Sequence, residues 1–121
     1  MGTATITLNT TRYNLYTSRS GSTVFVSINP VALSTPVAPF EYTLRYQRYT
    51  PVAPGQPGDY ALIATQTGSG SGGQNIDRDR GSLPVISGQP VRVQVEIRER
   101  IIRNGQLTDE YATATRNVPV D

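Results

Sequence analysis

The segment VRVQVEIRERII (91–102) is the longest and cleanest alternation of apolar and polar residues in the chain, and nowhere is there a helical period to set against it. Two-residue alternation places successive side chains on opposite faces of a strand, so a chain built of such segments must bury one face of a sheet. The pattern recurs. Ala4, Ile6 and Leu8 alternate with threonines, and Tyr13 and Leu15 read as a second piece of the same edge. STVFVSI puts Val24, Val26 and Ile28 on one face and is expected to close at Pro30. FEYTLRYQRY gives Phe40, Tyr42, Leu44 and Tyr46 to the core, and DYALIATQ is a further strand with Leu62 inward. SLPVISG reads as a short strand or turn, and TGSGSGGQ (67–74) as a flexible loop. The phrase TPVAP stands on both sides of the Phe40–Tyr49 segment. Proline cannot donate to a ladder, so Pro36, Pro39, Pro51 and Pro54 delimit that strand.

RNGQ (103–106) is the most specific local signal. Asn-Gly is the preferred pair of a two-residue hairpin, whose twist matches that of its strands. With Arg103 opposite Gln106, Ile97 is expected to face Ala112 and Val95 to face Ala114. On the other face Arg100 meets Asp109 and Arg98 meets Tyr111, an ion pair and a cation–aromatic pair. The same register leaves Ile102 and Leu107 paired outward beside the turn, with Ile101 on the opposite face beyond the end of the core. An apolar pair at a hairpin tip has no reason to face water. The segment 98–111 is therefore expected to be an arm that either docks on another subunit or packs locally against the proline-rich connection.

Composition narrows the chemistry. The 121 residues suit one domain, 1–121, able to bury roughly 65% of its unfolded-chain surface. Cysteine, histidine and tryptophan are absent, and all eleven basic residues are arginine. Two readings of that choice stand together, genome base composition and arginine's suitability for protein contacts, and either would suffice. A net charge of +2 is too small to imply nucleic acid or an anionic membrane, and no apolar run approaches the ~20 residues of a spanning helix. The N-terminal residues hold no secretory signal, Ile6 breaks the myristoylation pattern at Gly2, and Asn9-Thr10-Thr11 is read as an accidental sequon.

Candidate sites of chemistry fail one by one. Serine has no histidine or lysine to activate it. GSGSGG lacks the lysine of a phosphate loop. Asn75, Asp77 and Asp79 mimic a calcium loop, but its closing acid is missing and Arg78 and Arg80 interleave. A solvated, charge-alternating edge is the expected reading. Asp109 and Glu110 are adjacent on a strand and point to opposite faces, which no catalytic carboxylate pair does. No enzyme activity, metal or cofactor is expected. Seven tyrosines remain. Tyr42 and Tyr46 are core by spacing, whereas Tyr49 and Tyr60 flank the proline-rich connection, where a ring packs on a neighbour or stacks on a sugar.

In order, these segments resemble a fibronectin type III or immunoglobulin-like domain. STVFVSINP is similar to the family's second strand, FEYTLRYQRY to its third, SLPVISGQPVRVQVEIRER to the turn into its sixth, and LTDEYATATRNVPV to its last. The resemblance implies an all-β fold, a single antiparallel β-sandwich of about seven strands. Ile28 stands where the family's buried tryptophan would fall, and Val93 or Val95 where its tyrosine would. A stand-alone sandwich of this size also resembles bacteriophage virion parts such as capsid decoration (cement) proteins. The expected role is a non-enzymatic structural protein, a homo-oligomer bound to itself or to a larger protein lattice. It would be assembled in the host cytoplasm, with no nucleic-acid or membrane partner. A carbohydrate- or protein-binding adhesion module is the alternative, and a cytoplasmic protein the alternative location.

Overall fold

A computed structural model describes residues 2–51, 53–71, 73–86 and 88–120. They form an all-β sandwich of two four-stranded antiparallel sheets, with no helix among the described residues. The strands are β1 (Gly2–Thr7), β2 (Thr11–Ser20), β3 (Thr23–Ala32), β4 (Phe40–Thr50), β5 (Asp59–Gly70), β6 (Ile76–Arg80), β7 (Val91–Arg103) and β8 (Gln106–Pro119). One sheet runs β1-β2-β3-β6, the other β5-β4-β7-β8. There are thus eight strands rather than about seven. The added one is β1, because Tyr13 and Leu15 belong not to a second piece of the edge but to β2, a full strand between β1 and β3.

The alternation translates directly into the core. Ile6, Tyr13, Leu15, Val24, Val26 and Ile28 face inward from the first sheet; Phe40, Tyr42, Leu44, Tyr46, Val93, Val95 and Ile97 face them from the second. The rings of Tyr13 and Phe40 meet edge to face across the sandwich at 5.0 Å. The prolines bracket β4 as expected, with Pro39 before its first residue and Pro51 after its last. Pro30, by contrast, does not close its strand. β3 runs on to Ala32, and because β6 begins at Ile76, opposite Ile28, the missing N–H interrupts no ladder on that side.

Two bulges displace the expected registers. Tyr46 pairs with Ala64 but the next residue, Gln47, pairs with Leu62, which leaves Ile63 as the extra residue. That residue turns Leu62 outward, where it is 57% exposed, so the expectation that it points inward fails. In the hairpin, Arg103 does face Gln106 and Ile102 faces Leu107, but a bulge between Arg100 and Ile102 shifts the pairing beyond it. Ile97 therefore faces Ala114, not Ala112, and Val95 faces Arg116, not Ala114. The shift is even, so every side chain keeps its face.

The glycine-rich stretch 67–74 is not wholly a loop. Thr67–Gly70 complete β5, while Gly72 lies outside the described residues. Gly68 and Gly70 pair with Tyr42 and Phe40, and any Cβ there would strike those rings. Their lack of side chain is what lets the two aromatics lie flat against β5. Of the stretch 82–88, Leu83 is buried and no strand forms among the described residues; Ser87 lies outside them.

The two seams between the sheets differ. At one, β1 lies against β8: Arg116 Nη1 donates to the Thr5 carbonyl at 3.1 Å and Thr17 Oγ1 to the Pro119 carbonyl at 2.6 Å. At the other, the short β6 faces the long β5. Gln66 bridges them, its Nε2 donating to the Asp79 carbonyl at 3.2 Å while its Oε1 accepts from the Tyr46 hydroxyl at 2.5 Å.

Candidate interaction surfaces

The hairpin arm is defined by what leaves it. β4 accompanies β7 only as far as Glu99; beyond that residue β7 has β8 alone. Thr108 holds the bulge at the base of the arm, its Oγ1 donating to the Ile101 carbonyl at 2.7 Å and its own carbonyl accepting from Arg100 Nε at 2.9 Å. Arg100 Nη2 also reaches Asp109 at 3.1 Å, and the Arg98 guanidinium lies 4.1 Å over the Tyr111 ring. Both expected pairs thus survive the register shift as diagonal neighbours. Arg103 and Glu110 add an ion pair at 2.5 Å, which on an exposed arm contributes ~0–1 kcal/mol. At the tip, Ile101 and Ile102 are half-buried and Leu107 is 44% exposed. A cleft of about 410 Å³ opens at the base of the arm between Phe40, Glu41, Ser69, Arg100 and Tyr111.

Tyr49 and Tyr60 lie elsewhere. They pair with each other at the end of β4 nearest Val91, whereas the arm leaves from the end nearest Glu99. The intervening strand length is roughly 25 Å at ~3.3 Å per residue. The two expected contact groups therefore form separate places, not one site. The tyrosine rings meet edge to face at 5.4 Å, the Arg92 guanidinium covers Tyr60 at 4.0 Å, and the Gly58 N–H donates to the Tyr49 hydroxyl at 2.8 Å. A sugar stacking on Tyr60 would have to displace Arg92 from the covered face.

Asp77 and Asp79 stand on edge strand β6, as alternation implies. Asp77 accepts from Ser27 Oγ at 2.5 Å, and Arg78, on the other face, donates to the Tyr42 hydroxyl at 2.8 Å. Among the described residues no group of acidic side chains is arranged to hold a metal ion.

One feature of the end nearest the arm escaped the sequence reading. Glu99 continues the inward register of Val91, Val93, Val95 and Ile97 and is fully buried. Its Oε1 accepts from the Thr10 N–H at 2.8 Å and the Thr10 hydroxyl at 2.5 Å, and its Oε2 from the Tyr13 hydroxyl at 2.9 Å. Thr10 Oγ1 in turn accepts from the Ala38 N–H at 3.3 Å, and the Thr10 carbonyl accepts from the Leu33 N–H at 2.8 Å. The carboxylate thereby ties the β1–β2 turn and the β3–β4 connection to the strand that carries the arm. Its parity was visible in VRVQVEIRE: a charge in the fifth inward place needs internal donors or it would not be there. The exposed aromatics Tyr16 and Phe25, on the outer face of the first sheet, were missed as well.

The same cluster gives an alkaline signature. Burial foremost, then the hydrogen bond and charge of Glu99, push the Tyr13 phenol well above its ordinary range; burial pushes Tyr46 up to about 12, against the opposing charges of Arg78 and Arg80. Between the ordinary value of 10.0 and these raised values, the unfolded chain gives up phenol protons that the folded protein retains. The stabilisation is therefore whole below about pH 10 and declines as pH rises through 12. The melting temperature should hold level to about pH 9 and then fall, with Tyr46→Phe removing of order 2 kcal/mol of that loss. A melting temperature unchanged into strong alkali would contradict the burial of these phenols.

Comparison with protein-family models, curated proteins and solved structures finds no match to this chain. The functional reading therefore rests on the residues themselves.

Proposed function

We propose that this chain is a non-enzymatic assembly protein that acts by docking, in the manner of a bacteriophage capsid decoration (cement) protein. The observation that carries the reading is the arm. It extends past the last β4–β7 pair, is braced at its base by Arg100 and Thr108, and ends in the Ile102–Leu107 pair with Leu107 44% exposed. A braced apolar tip suits insertion against another protein surface, where aliphatic burial contributes ~25 cal/mol per Å². Arginine and tyrosine, plentiful here, are the residue types favoured at such contacts. The immunoglobulin or fibronectin III type is inferred from strand order: β5-β4-β7-β8 follows the C′-C-F-G order, and β2-β3-β6 follows A-B-E, with β1 added in front. The sugar-binding alternative is set aside because Arg92 already occupies the face of Tyr60.

The test is sedimentation with an assembled protein shell. The native chain should travel with the shell at a fixed copy number. Ile102→Ser with Leu107→Ser should leave it in the supernatant while its melting temperature moves little, since both positions lie beyond the core. Equal sedimentation of the double variant would end the role given to the arm, and a native chain that sediments with no shell would end the assembly reading.

A further inference from the structure

Four strands stand at the edges of the two sheets, and three of them are blunted. β1 and the Arg116–Pro119 part of β8 cover each other at the closed seam. The free half of β8 carries the bulge and the acids Asp109 and Glu110. β6 holds Asp77, Arg78, Asp79 and Arg80 in its five residues. These are devices by which sheet proteins avoid pairing with stray strands. β5 has the bulge at Ile63, and past it a single side-chain tie among the described residues, Gln66 to the Asp79 carbonyl, links it to β6 without covering its backbone edge. It is twelve residues long and among the described residues pairs with β4 alone. From Tyr60 through Ile76 the sequence contains neither a charged residue nor a proline. The regular part, Ala64–Gly70, offers roughly 20 Å of pairing edge at ~3.3 Å per residue.

We propose that the Ala64–Gly70 edge of β5 pairs antiparallel with the same edge of a second copy of this chain, joining two β5-β4-β7-β8 sheets into one across a two-fold axis. Charge argues for a copy as the occupant. Strand partners are normally selected by complementary charge, and this edge has none to select with. In a pair of Ala64–Gly70 edges no register opposes like charges, and the molecule's net charge of +2 resists approach only weakly. The outward residues Thr65 and Thr67 are exposed and would meet threonines of the other copy, a favourable cross-strand pair. Where many copies sit on a repeating shell, their effective concentration favours self-pairing over any free strand. The inference rests on the assembly reading for its purpose, and on the edge itself for its place.

A two-strand seam buries less than the ~1,200 Å² of a stable complex, so the pairing is weak and depends on concentration. Sedimentation equilibrium to about 1 mM, the weak end of specific association, should show a monomer–dimer equilibrium for the native chain. Thr65→Lys with Thr67→Lys places like charges on both edges and should abolish it. The melting temperature should not fall, because both side chains are exposed. In parallel, the backbone amides of Ala64–Gly70 that point away from β4 should slow their hydrogen exchange about tenfold as the native dimer forms. A native chain monomeric throughout that range overturns the edge pairing, whatever its behaviour with a shell. A dimer kept by the lysine variant and lost by Ile102→Ser with Leu107→Ser overturns it as well, while leaving the docking role of the arm intact.

Discussion

Glu99→Ala should destabilise the fold by about 3–5 kcal/mol, the cost of breaking a buried charged network from one side. Three donors converge on the carboxylate: the Thr10 N–H, the Thr10 hydroxyl and the Tyr13 hydroxyl. Removing the acceptor strands them in the interior and opens a void beside Phe40 and Tyr13. Glu99→Gln keeps the shape and one acceptor oxygen, so it should cost less, about 1–3 kcal/mol. The informative comparison is Glu99→Leu combined with Thr10→Val and Tyr13→Phe. If the loss in the alanine variant comes from stranded polar groups, replacing carboxylate and side-chain hydroxyls together recovers much of it, leaving the Thr10 and Ala38 N–H groups without their acceptors. Urea unfolding midpoints at constant slope measure all three. A midpoint unmoved by Glu99→Ala would show that this end of the sandwich is held by other means.

The second large effect is expected at Gly68. A Cβ there would lie 2.8 Å from Tyr42 Cε1 and closer still to Cζ and the hydroxyl. Alanine normally gains ~0.5–1 kcal/mol over glycine in a strand by limiting the unfolded chain. Here the displaced ring outweighs that gain. Tyr42 is buried and its hydroxyl accepts from Arg78, so moving it costs both packing and the tie between β4 and β6. Gly68→Ala should lower stability by about 1–3 kcal/mol, and Gly68→Val by more, measured by the same unfolding experiment. A neutral or stabilising alanine would mean that the ring has room to turn away. Gly70→Ala, aimed at the Phe40 ring with Cζ at 2.5 Å, should behave alike.

The fold was largely legible from alternation, because a period of two states directly which side chains share a face. The inward sets of β3 and β4, and of β7 as far as Ile97, were readable residue by residue, and the Asn-Gly turn placed Arg103 opposite Gln106. The errors arose where inserted residues shift one strand against its neighbour. Ile63 turned Leu62 to solvent, and the bulge before Ile102 moved Ile97 from Ala112 to Ala114. A bulge has no composition of its own; it is imposed by how two particular strands must twist past each other. The glycines of β5 misled in another way. Read alone, TGSGSGG has nothing to pack, and only the arrival of Phe40 and Tyr42 from β4 makes the missing side chains a fit.

Of the candidate contact residues, Ile102 and Leu107 were legible because the turn fixes their pairing locally. That Tyr49 and Tyr60 lie at the far end of the sheet, occupied by each other and by Arg92, was not legible, since β4, β5 and β7 all contribute. The amino-acid order alone determined the class of fold, the inward apolar residues of β3, β4 and β7 and the hairpin register beside its turn, all consequences of backbone geometry over a few neighbouring residues. Tertiary structure alone decided that Glu99 is buried with its donors, that three sheet edges are blunted and that β5 is left open. Those outcomes depend on which distant segments meet, and no local period records that.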